Sequence, residues 1–488
     1  MPFALFQLIL TTLACAGLWW SWSRLASRGK ASLIIAAGFL VRAFGGELLF
    51  WISWLHLPIA RSLQLGGGFW FFAIDGPGYL AYANELIDRG PRAILFITSA
   101  YPSHIYTQVF TMFVGAFGTV ASVAILFNCA VYLVTCALIA RIGSRDSRAE
   151  LPRLVALAAV SFGPATILWS LQPLKDTFFL FLVTAMIAAC FRWQELWRER
   201  VSSKWRPLLA CAAVMFVVVY AIGGTRWYFA AIVWAGCLVF FILAALPAGP
   251  RSLALLASAV LFVVLAQAVR LGGDADMPQS VSRLLDPRPL IAARWRPSSV
   301  PRLIVESRSG FEHTPGATMI SAGPALATPP LGPPKQTSFA VASPLSTTLA
   351  TPPPSPPRKK KKAAVAPRPL PTLATGFAAM FIPRTLAQAL GLVRIGGGRG
   401  FWFFAEIDTL VFDAVLFFAF VYCLRAIRSY ARVTPLFVFL VLVFVMTAGP
   451  MIYTVTNFGT LFRLRQMLYL IAAMLPLTLA ARTNVSSG

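Results

Sequence analysis

Long apolar runs recur along this chain and constrain its fold more than any other feature. A bilayer core about 30 Å thick is crossed by about 20 helical residues, so runs of this length are typical of membrane helices. We identify such runs near 3–21, 32–53, 119–140, 153–170, 176–192, 207–222, 228–246, 252–270, 409–424, 434–449 and 465–481. The segment 104–118 is ambiguous between a short extra span and an interfacial helix. The pattern predicts an all-α, polytopic membrane protein with about 11–12 transmembrane helices.

The charge of the chain fits a membrane protein better than a nucleic-acid-binding one. Lys and Arg number 42 against 17 Asp and Glu, a net charge of +25, while 58% of the residues are hydrophobic. The basic residues lie mostly between the apolar runs, where positive charge stays cytoplasmic and meets anionic lipid. No nucleic-acid-binding motif accompanies them, so we expect no nucleic-acid partner. The seven Cys lie in or beside apolar runs and the three His lack metal-binding spacing, so neither indicates a metal site.

The basic loops predict an orientation. They lie at 24–30, 141–153, 192–206, 251 and 425–432, and the positive-inside rule places all of them in the cytoplasm. This assignment is self-consistent only if 104–140 crosses the membrane once; two crossings would move the later loops to the other side. With one crossing, the unusual polar residues gather on the extracytoplasmic side. They are Asp75, Lys175, Asp176, Arg226, Glu406, Asp408 and the segment from Asn457 to Arg465.

Composition divides the chain into three parts. Residues 1–270 form a transmembrane module whose first large loop, 54–104, carries short interfacial helices. Residues 271–372 are rich in Pro, Ala and Ser and include the basic run 358–362, which predicts a disordered loop. Residues 373–488 form an interfacial segment and the C-terminal membrane helices. The motif Phe-Trp-Phe-Phe precedes Asp75 and, again, Glu406 and Asp408, which predicts two aromatic belts holding these acids at similar depth.

The first candidate for chemistry is Asp75, in the run Asp75-Gly-Pro-Gly-Tyr79-Leu-Ala-Tyr82. A carboxylate at the mouth of a membrane domain is costly to desolvate, so it needs a function or a partner. The Gly-Pro-Gly turn allows the backbone to approach a ligand closely, and Tyr79 and Tyr82 lie on one face of the following helix. Asp75 is placed to act as a general base at the lipid surface or to cap that helix.

Cations at the boundaries of the apolar runs are candidates for substrate binding. Lys175 precedes Asp176 at a break between two runs and either pairs with it or binds a phosphate. Arg226, Arg463 and Arg465 also lie at run boundaries. Each alone is typical of an interfacial anchor, but Arg is also the side chain best suited to bidentate phosphate recognition. We therefore expect at least one of these cations to bind phosphate.

Several motifs, taken in order, carry a family resemblance. They are the Asp75 motif, Tyr101-Pro-Ser-His-Ile-Tyr106, 113–118, 128–141 and Trp169-Ser-Leu-Gln-Pro-Leu-Lys-Asp176. Together they resemble the N-terminal module of the GT-C superfamily, the integral-membrane glycosyltransferases that use lipid-phosphate-linked sugars. The resemblance covers roughly residues 30–200 and is strongest to the bacterial proteins similar to protein mannosyltransferases and aminoarabinose transferases.

The resemblance implies a glycosyltransferase of the bacterial plasma membrane, with a site facing the extracytoplasmic side. It would move a sugar from a polyprenyl-phosphate donor to a glycan, lipid or protein acceptor. Asp75 matches the family's general base or metal-linked acid. The substrate-binding residues we expect are Tyr79, Tyr82, Lys175, Arg226, Arg463, Arg465, Glu406 and Asp408. The chain departs from the family in an extra N-terminal span and in having Gly beside Asp75. We assign no metal ligand, since one acid supports a Mg²⁺ or Mn²⁺ site weakly, and a divalent cation stays an alternative.

Other functions compete with this one. A transporter or flippase of lipid-linked or polar substrates explains Arg42 and Glu47 inside the second run, which either pair or line a cavity. It does not explain the Asp75 motif, and the sequence lacks the repeat symmetry it predicts. A polysaccharide polymerase also uses polyprenyl-linked glycans and Arg in outer loops, and the order of the motifs favours it less. A non-enzymatic scaffold fits poorly with so many polar residues on one side.

Overall fold

The computed structural model describes residues 2–25, 29–97, 101, 103–144, 146–198, 205–246, 251–273, 377–378, 380–390, 399–429, 433–454 and 458–480. Within these ranges the chain is predominantly helical, as the apolar runs predict. The predicted disordered loop with its basic run, and Asn457, lie outside the described residues, apart from the first few residues of that loop.

The helices, in chain order, are α1 (Pro2–Leu25), α2 (Lys30–Trp54), α3 (Gly76–Asp88), α4 (Pro91–Leu95), α5 (His104–Phe117), α6 (Val123–Arg141), α7 (Glu150–Phe162), α8 (Pro164–Ser170), α9 (Asp176–Arg198), α10 (Trp205–Ala245), α11 (Arg251–Gly272), α12 (Arg384–Ala389), α13 (Arg399–Ser429), α14 (Pro435–Thr454) and α15 (Phe458–Ala480). Strands β1 (Gln64–Gly66) and β2 (Phe69–Trp70) form a small antiparallel ribbon in the first large loop, which the sequence did not indicate. Short helices α3 and α4 follow in the same loop, as predicted.

The chain is a polytopic membrane protein by the length and composition of its helices. Within the described ranges, six helices are long and apolar enough to cross a membrane: α2, α6, α9, α10, α13 and α14. Helices α7 and α8, bent by 47° at their junction, make a seventh if they are one span. Each of the eleven predicted runs falls largely on one of these helices or on α1, α11 or α15. The count of eleven to twelve passes stays a prediction.

Helix α9 provides a reference for the two ends of the bundle. It has 23 residues and is therefore about 35 Å long. We call the end that holds Asp176 the polar end and the end that holds Trp197 the basic end. The Trp197 indole donates to the Ala244 carbonyl over 3.1 Å, so the last turn of α10 lies at the basic end.

Helix α10 reverses direction at Arg226, whose backbone is not helical (φ −150°, ψ 84°). Arg226 pairs with Asp176 at the polar end. Both flanking halves reach back toward the basic end, since Cys211 lies within electrostatic range of Arg192 and Ala244 contacts Trp197. A straight helix of 41 residues would be about 60 Å long and could not make these contacts together. The halves correspond to the predicted runs 207–222 and 228–246.

The segment 104–140 crosses the bundle once. Helix α5 has 14 residues, about 21 Å, which is shorter than a bilayer core. Both termini of α5 lie at the polar end of the bundle. Ser103, just before α5, contacts Lys175. Ala121, after α5, lies beside Gly68, and the Gly68 carbonyl accepts from Gln172 near the start of α9. Only α6 then continues to the basic end. This is the arrangement that the basic loops required.

Several basic residues in or beside the described helix ends lie at the basic end. Leu436 donates its backbone N–H to the Gln194 side chain there, and the Tyr422 hydroxyl donates to the Arg148 carbonyl. Arg192, in the last two turns of α9, lies at this end as well, as do Arg141 at the end of α6 and Arg428 in the last turn of α13.

The buried Arg42 stabilises the bend between α7 and α8. Its guanidinium donates to the carbonyls of Val160 (2.7 Å) and Ser161 (2.8 Å) at the end of α7, and to Gly38 (3.0 Å) in its own helix. These α7 carbonyls lie in the last turn, where intrahelical donors are missing. The predicted alternative of an Arg42–Glu47 pair is therefore wrong for the described structure, and Arg42 has a packing role.

Candidate functional site

Five charged side chains from distant parts of the sequence meet at the polar end. We call this group the polar cluster: Asp75, Lys175, Asp176, Arg226 and Arg463. Two carboxylates face three cations, so the cluster carries one excess positive charge. The sequence had placed all five on one side of the membrane, and the structure brings them together.

Asp75 lies at the N-terminus of α3 and turns away from it. Although it occupies the capping position, its side chain caps no backbone N–H of the helix. Instead its Oδ2 accepts from Arg463 Nη1 over 2.7 Å, and the carboxylate remains 47% exposed. Gly76 beside it lies against Pro173, where a Cβ atom would come within 3.0 Å of the ring. This close approach brings the Asp75 loop onto the loop that carries Lys175.

Asp176 is the centre of the cluster. Its carboxylate is fully buried at the first residue of α9. Oδ1 accepts from Arg226 Nη2 and from Gln466 Nε2 (3.0 Å), and Oδ2 accepts from Arg463 Nε (2.6 Å). The break in α10 at Arg226 directs this guanidinium to Asp176 and over the ring of Phe179, 4.7 Å from its centroid. Buried charges need such partners because desolvation is costly.

Arg463, in the second turn of α15, links the two acids. One guanidinium edge is held by Asp176 and another nitrogen by Asp75, while the side chain is 18% exposed. Its Nη2 has no hydrogen-bond partner among the described residues. The guanidinium also lies 5.9 Å from the centroid of the Trp169 ring. Arg463 therefore has one buried nitrogen with unused hydrogen-bonding capacity, next to an exposed acid.

Lys175 extends the cluster toward α3 and α5. Its Nζ donates to Ser103 Oγ over 2.6 Å, and Ser103 in turn donates to the Thr225 carbonyl next to Arg226. Burial, together with the charges of Arg226 and Arg463, lowers the pKa of Lys175 to about 8. The predicted Lys175–Asp176 pair is wrong, because Asp176 is taken by the two arginines.

Tyr79 packs beside this extension. It is buried, and its ring meets Tyr106 edge-on at 4.8 Å. Burial raises the pKa of Tyr79, and a hydrogen bond with the Ser103 side chain partly offsets the rise. Tyr79 thus supports the position of Ser103, while Tyr82 packs on the ring of Tyr101 at 5.7 Å.

The other predicted site residues form separate contacts on α13. Arg465 donates to Asp408 and, over 2.8 Å, to Thr409 Oγ1, and both charged side chains are buried. Asp408 also accepts from the Ala165 backbone at the start of α8 (2.8 Å). Glu406 accepts from the Thr385 backbone (3.1 Å). We call Asp408 and Arg465 the inner pair; their role in substrate binding stays a prediction.

Sequence reasoning assigned no site role to Asp176, Ser103 or Gln466. An acid that starts an apolar run is a signal for a buried ion pair, and it identifies Asp176 in retrospect. Ser103 has a left-handed backbone (φ 51°), a strained conformation that is often found at functional sites. Nothing in the sequence distinguishes Gln466 from other polar residues in membrane helices.

The cluster is suited to an anion rather than a cation. Both oxygens of Asp176 accept from cationic or amide donors, and Asp75 is bound to a guanidinium. A divalent cation prefers several free oxygen ligands and would meet three positive side chains here. The donor set therefore fits Mg²⁺ or Mn²⁺ poorly, and we assign no step of the proposed reaction to a metal.

The apolar surround strengthens these electrostatic interactions. Asp176 and Arg226 are almost inaccessible to solvent, and charges interact more strongly in such a low-dielectric environment. Asp75 is exposed to solvent, and Lys175 is partly buried. Comparison of the chain with protein-family models, with curated proteins and with solved structures finds no significant match to any of them.

Proposed function

We propose that the protein is a membrane glycosyltransferase of GT-C type, which transfers a sugar from a polyprenyl-phosphate donor to an acceptor hydroxyl. The observation that carries this proposal is the meeting of Asp75 with Lys175, Arg226 and Arg463 at one end of an apolar helix bundle. An exposed acid and a group of cations with one excess positive charge are the components that the transfer requires. The sequence resemblance of residues 30–200 to that superfamily supports the same reaction.

The cations suit the phosphate of the donor. Arg463 binds phosphate through its guanidinium, and Lys175 adds a charge next to it. Fixed donors in a water-poor site stabilise negative charge as it develops on a leaving group. Arg226 is held by Asp176 and acts mainly through its field, because its side chain is 3% exposed. The donor's chain would lie among the apolar helices.

Asp75 serves as the general base. The acceptor oxygen attacks the anomeric carbon, and the new C–O bond forms as the bond from that carbon to the phosphate oxygen breaks. The bonding electrons remain on the departing polyprenyl phosphate, and the acceptor proton passes to Asp75. General bases of this kind contribute about 10²–10⁴-fold to a rate.

The orientation follows from the charge distribution. The positive-inside rule would place the basic end in the cytoplasm and the polar cluster on the extracytoplasmic side. A bacterial plasma membrane fits this arrangement. There a glycan, a lipid or a protein can supply the acceptor hydroxyl.

Sugar transfer by purified protein in lipid tests the proposal. We expect Asp75→Asn to lower turnover of a synthetic polyprenyl-phosphate sugar by about 100-fold or more. Asp88→Asn is the matched control, since it makes the same chemical change at an exposed position at the other end of α3 and should leave turnover unchanged. Turnover equal to wild type in Asp75→Asn would show that Asp75 is not the general base. Lack of turnover with a panel of donors, together with substrate movement in sealed vesicles, would favour a transporter.

A further inference from the structure

We propose that, in the donor-free protein, Asp75 accepts a hydrogen bond from the Arg463 nitrogen that binds the donor phosphate. Donor binding then displaces Asp75 and frees it to act as the base. The inference rests on the proposed function and concerns the same cluster. It assigns the two acids bound to Arg463 different roles: Asp176 is a positioning residue that keeps its contact, and Asp75 is an exchangeable partner.

The two contacts of Arg463 differ in burial and in connectivity. Asp176 is fully buried, and it also binds Arg226 and Gln466. Removing it from Arg463 would leave buried charge without a partner, which is strongly unfavourable. Asp75 is 47% exposed, and Arg463 is its one side-chain partner among the described residues. Exposed ion pairs contribute little to stability, because water replaces the lost partner. A competing anion therefore displaces Asp75 first.

The geometry of the guanidinium specifies which atoms are exchanged. Asp176 accepts from Nε over 2.6 Å and Asp75 accepts from Nη1 over 2.7 Å, while Nη2 is buried without a partner among the described residues. A phosphate binds arginine best through two parallel N–H···O bonds. With Nε retained by Asp176, the edge left for such binding is the Nη1–Nη2 edge. A phosphate on that edge would share Nη1 with the Asp75 carboxylate, and the two anions would compete for it.

The exchange links substrate binding to the chemistry. While Asp75 is bound to Arg463, one of its carboxylate oxygens accepts from the guanidinium and is not available to an acceptor hydroxyl. Once phosphate replaces it, the freed carboxylate lies next to the bound donor and is available to the acceptor hydroxyl. The site thus has both oxygens of its base available only when a donor is present.

Binding measurements separate the roles of the two acids. The probe is a polyprenyl phosphate without sugar, titrated into wild-type protein and variants in lipid nanodiscs, with the uncharged polyprenol as the control ligand. Because Asp75→Asn removes the competitor, we expect it to bind the phosphate about threefold more tightly than wild type. Asp176→Asn should bind it about tenfold or more weakly, since Arg463 loses its positioning partner. The control Asp88→Asn should match wild type, because it lies about 20 Å along α3.

The outcomes distinguish this inference from the proposed function. Equal or weaker phosphate binding by Asp75→Asn would overturn the exchange, even if the wild-type protein transfers sugar. The exchange would also be overturned if neither wild type nor Asp75→Asn binds the polyprenyl phosphate more tightly than the polyprenol. Tighter binding by Asp75→Asn, with no sugar transfer by wild type, would support the exchange and refute the transferase.

Discussion

Replacing Asp408 by Asn tests whether the inner pair holds the fold or binds substrate. In wild type, Arg465 is 2% exposed and donates to Asp408, Thr409 Oγ1 and the Met380 carbonyl. Asn keeps the shape and the hydrogen bond from Ala165 but removes the charge that neutralises the guanidinium. Removing one partner of a buried pair costs about 3–5 kcal/mol. Since the two neutral acceptors remain, we expect a loss of about 3 kcal/mol in the free energy of unfolding.

A double variant determines the source of that loss. Asp408→Asn combined with Arg465→Met removes both charges, and replacing a complete buried pair by apolar groups is often neutral or stabilising. We therefore expect the double variant to regain most of the lost stability. Asp88→Asn is the control: it makes the same chemical change at an exposed position of α3, so its effect should be about 0.5 kcal/mol or less.

The assay is equilibrium unfolding in mixed detergent–lipid micelles, with binding of polyprenyl phosphate measured on the folded variants. The expected result is a lower unfolding midpoint for Asp408→Asn and unchanged phosphate affinity at temperatures where it is folded. Unchanged stability with weaker phosphate binding would refute the reasoning. It would place Asp408 and Arg465 in the substrate site instead.

Two further predictions concern Lys175 and Gly38. Since the pKa of Lys175 is lowered to about 8, its protonated fraction in the free protein falls from about 90% at pH 7 to about 10% at pH 9. Polyprenyl-phosphate affinity should therefore fall as the pH rises through this range. Lys175→Arg stays charged, so it should abolish the part of that fall that depends on Lys175. The same fall in both proteins would contradict the assignment of Lys175 to phosphate binding. At Gly38 an added Cβ would meet the Tyr132 hydroxyl and come within 2.7 Å of Ser161 Cβ, so Gly38→Ala should destabilise the protein by about 1–3 kcal/mol in thermal unfolding. Gly17→Ala, where nothing lies within 4 Å, is the control, and equal effects of the two would show that the α2 contact is not tight.

The sequence by itself determined where the helices lie and which end of the bundle is polar. Each predicted apolar run falls largely on a helix because twenty or so consecutive apolar residues leave the backbone no other way to satisfy its hydrogen bonds in a bilayer. That Asp75 and Arg226 lie at the same end of the bundle also followed from sequence, since the basic loops alternate with the runs. Both signals are local, so they need no knowledge of which helices touch.

Only the tertiary structure decided which charges meet. Asp75 and Arg463 are 388 residues apart, and their contact depends on how α3 and α15 are rotated and packed. Because of the same packing, Asp176 pairs with Arg226 and Arg463 and not with its neighbour Lys175. Likewise, Arg42 donates to carbonyls of α7 and does not pair with Glu47. A buried charge takes whichever partner the packed helices place within reach, because leaving it unpaired costs several kcal/mol, and proximity along the chain does not determine that partner.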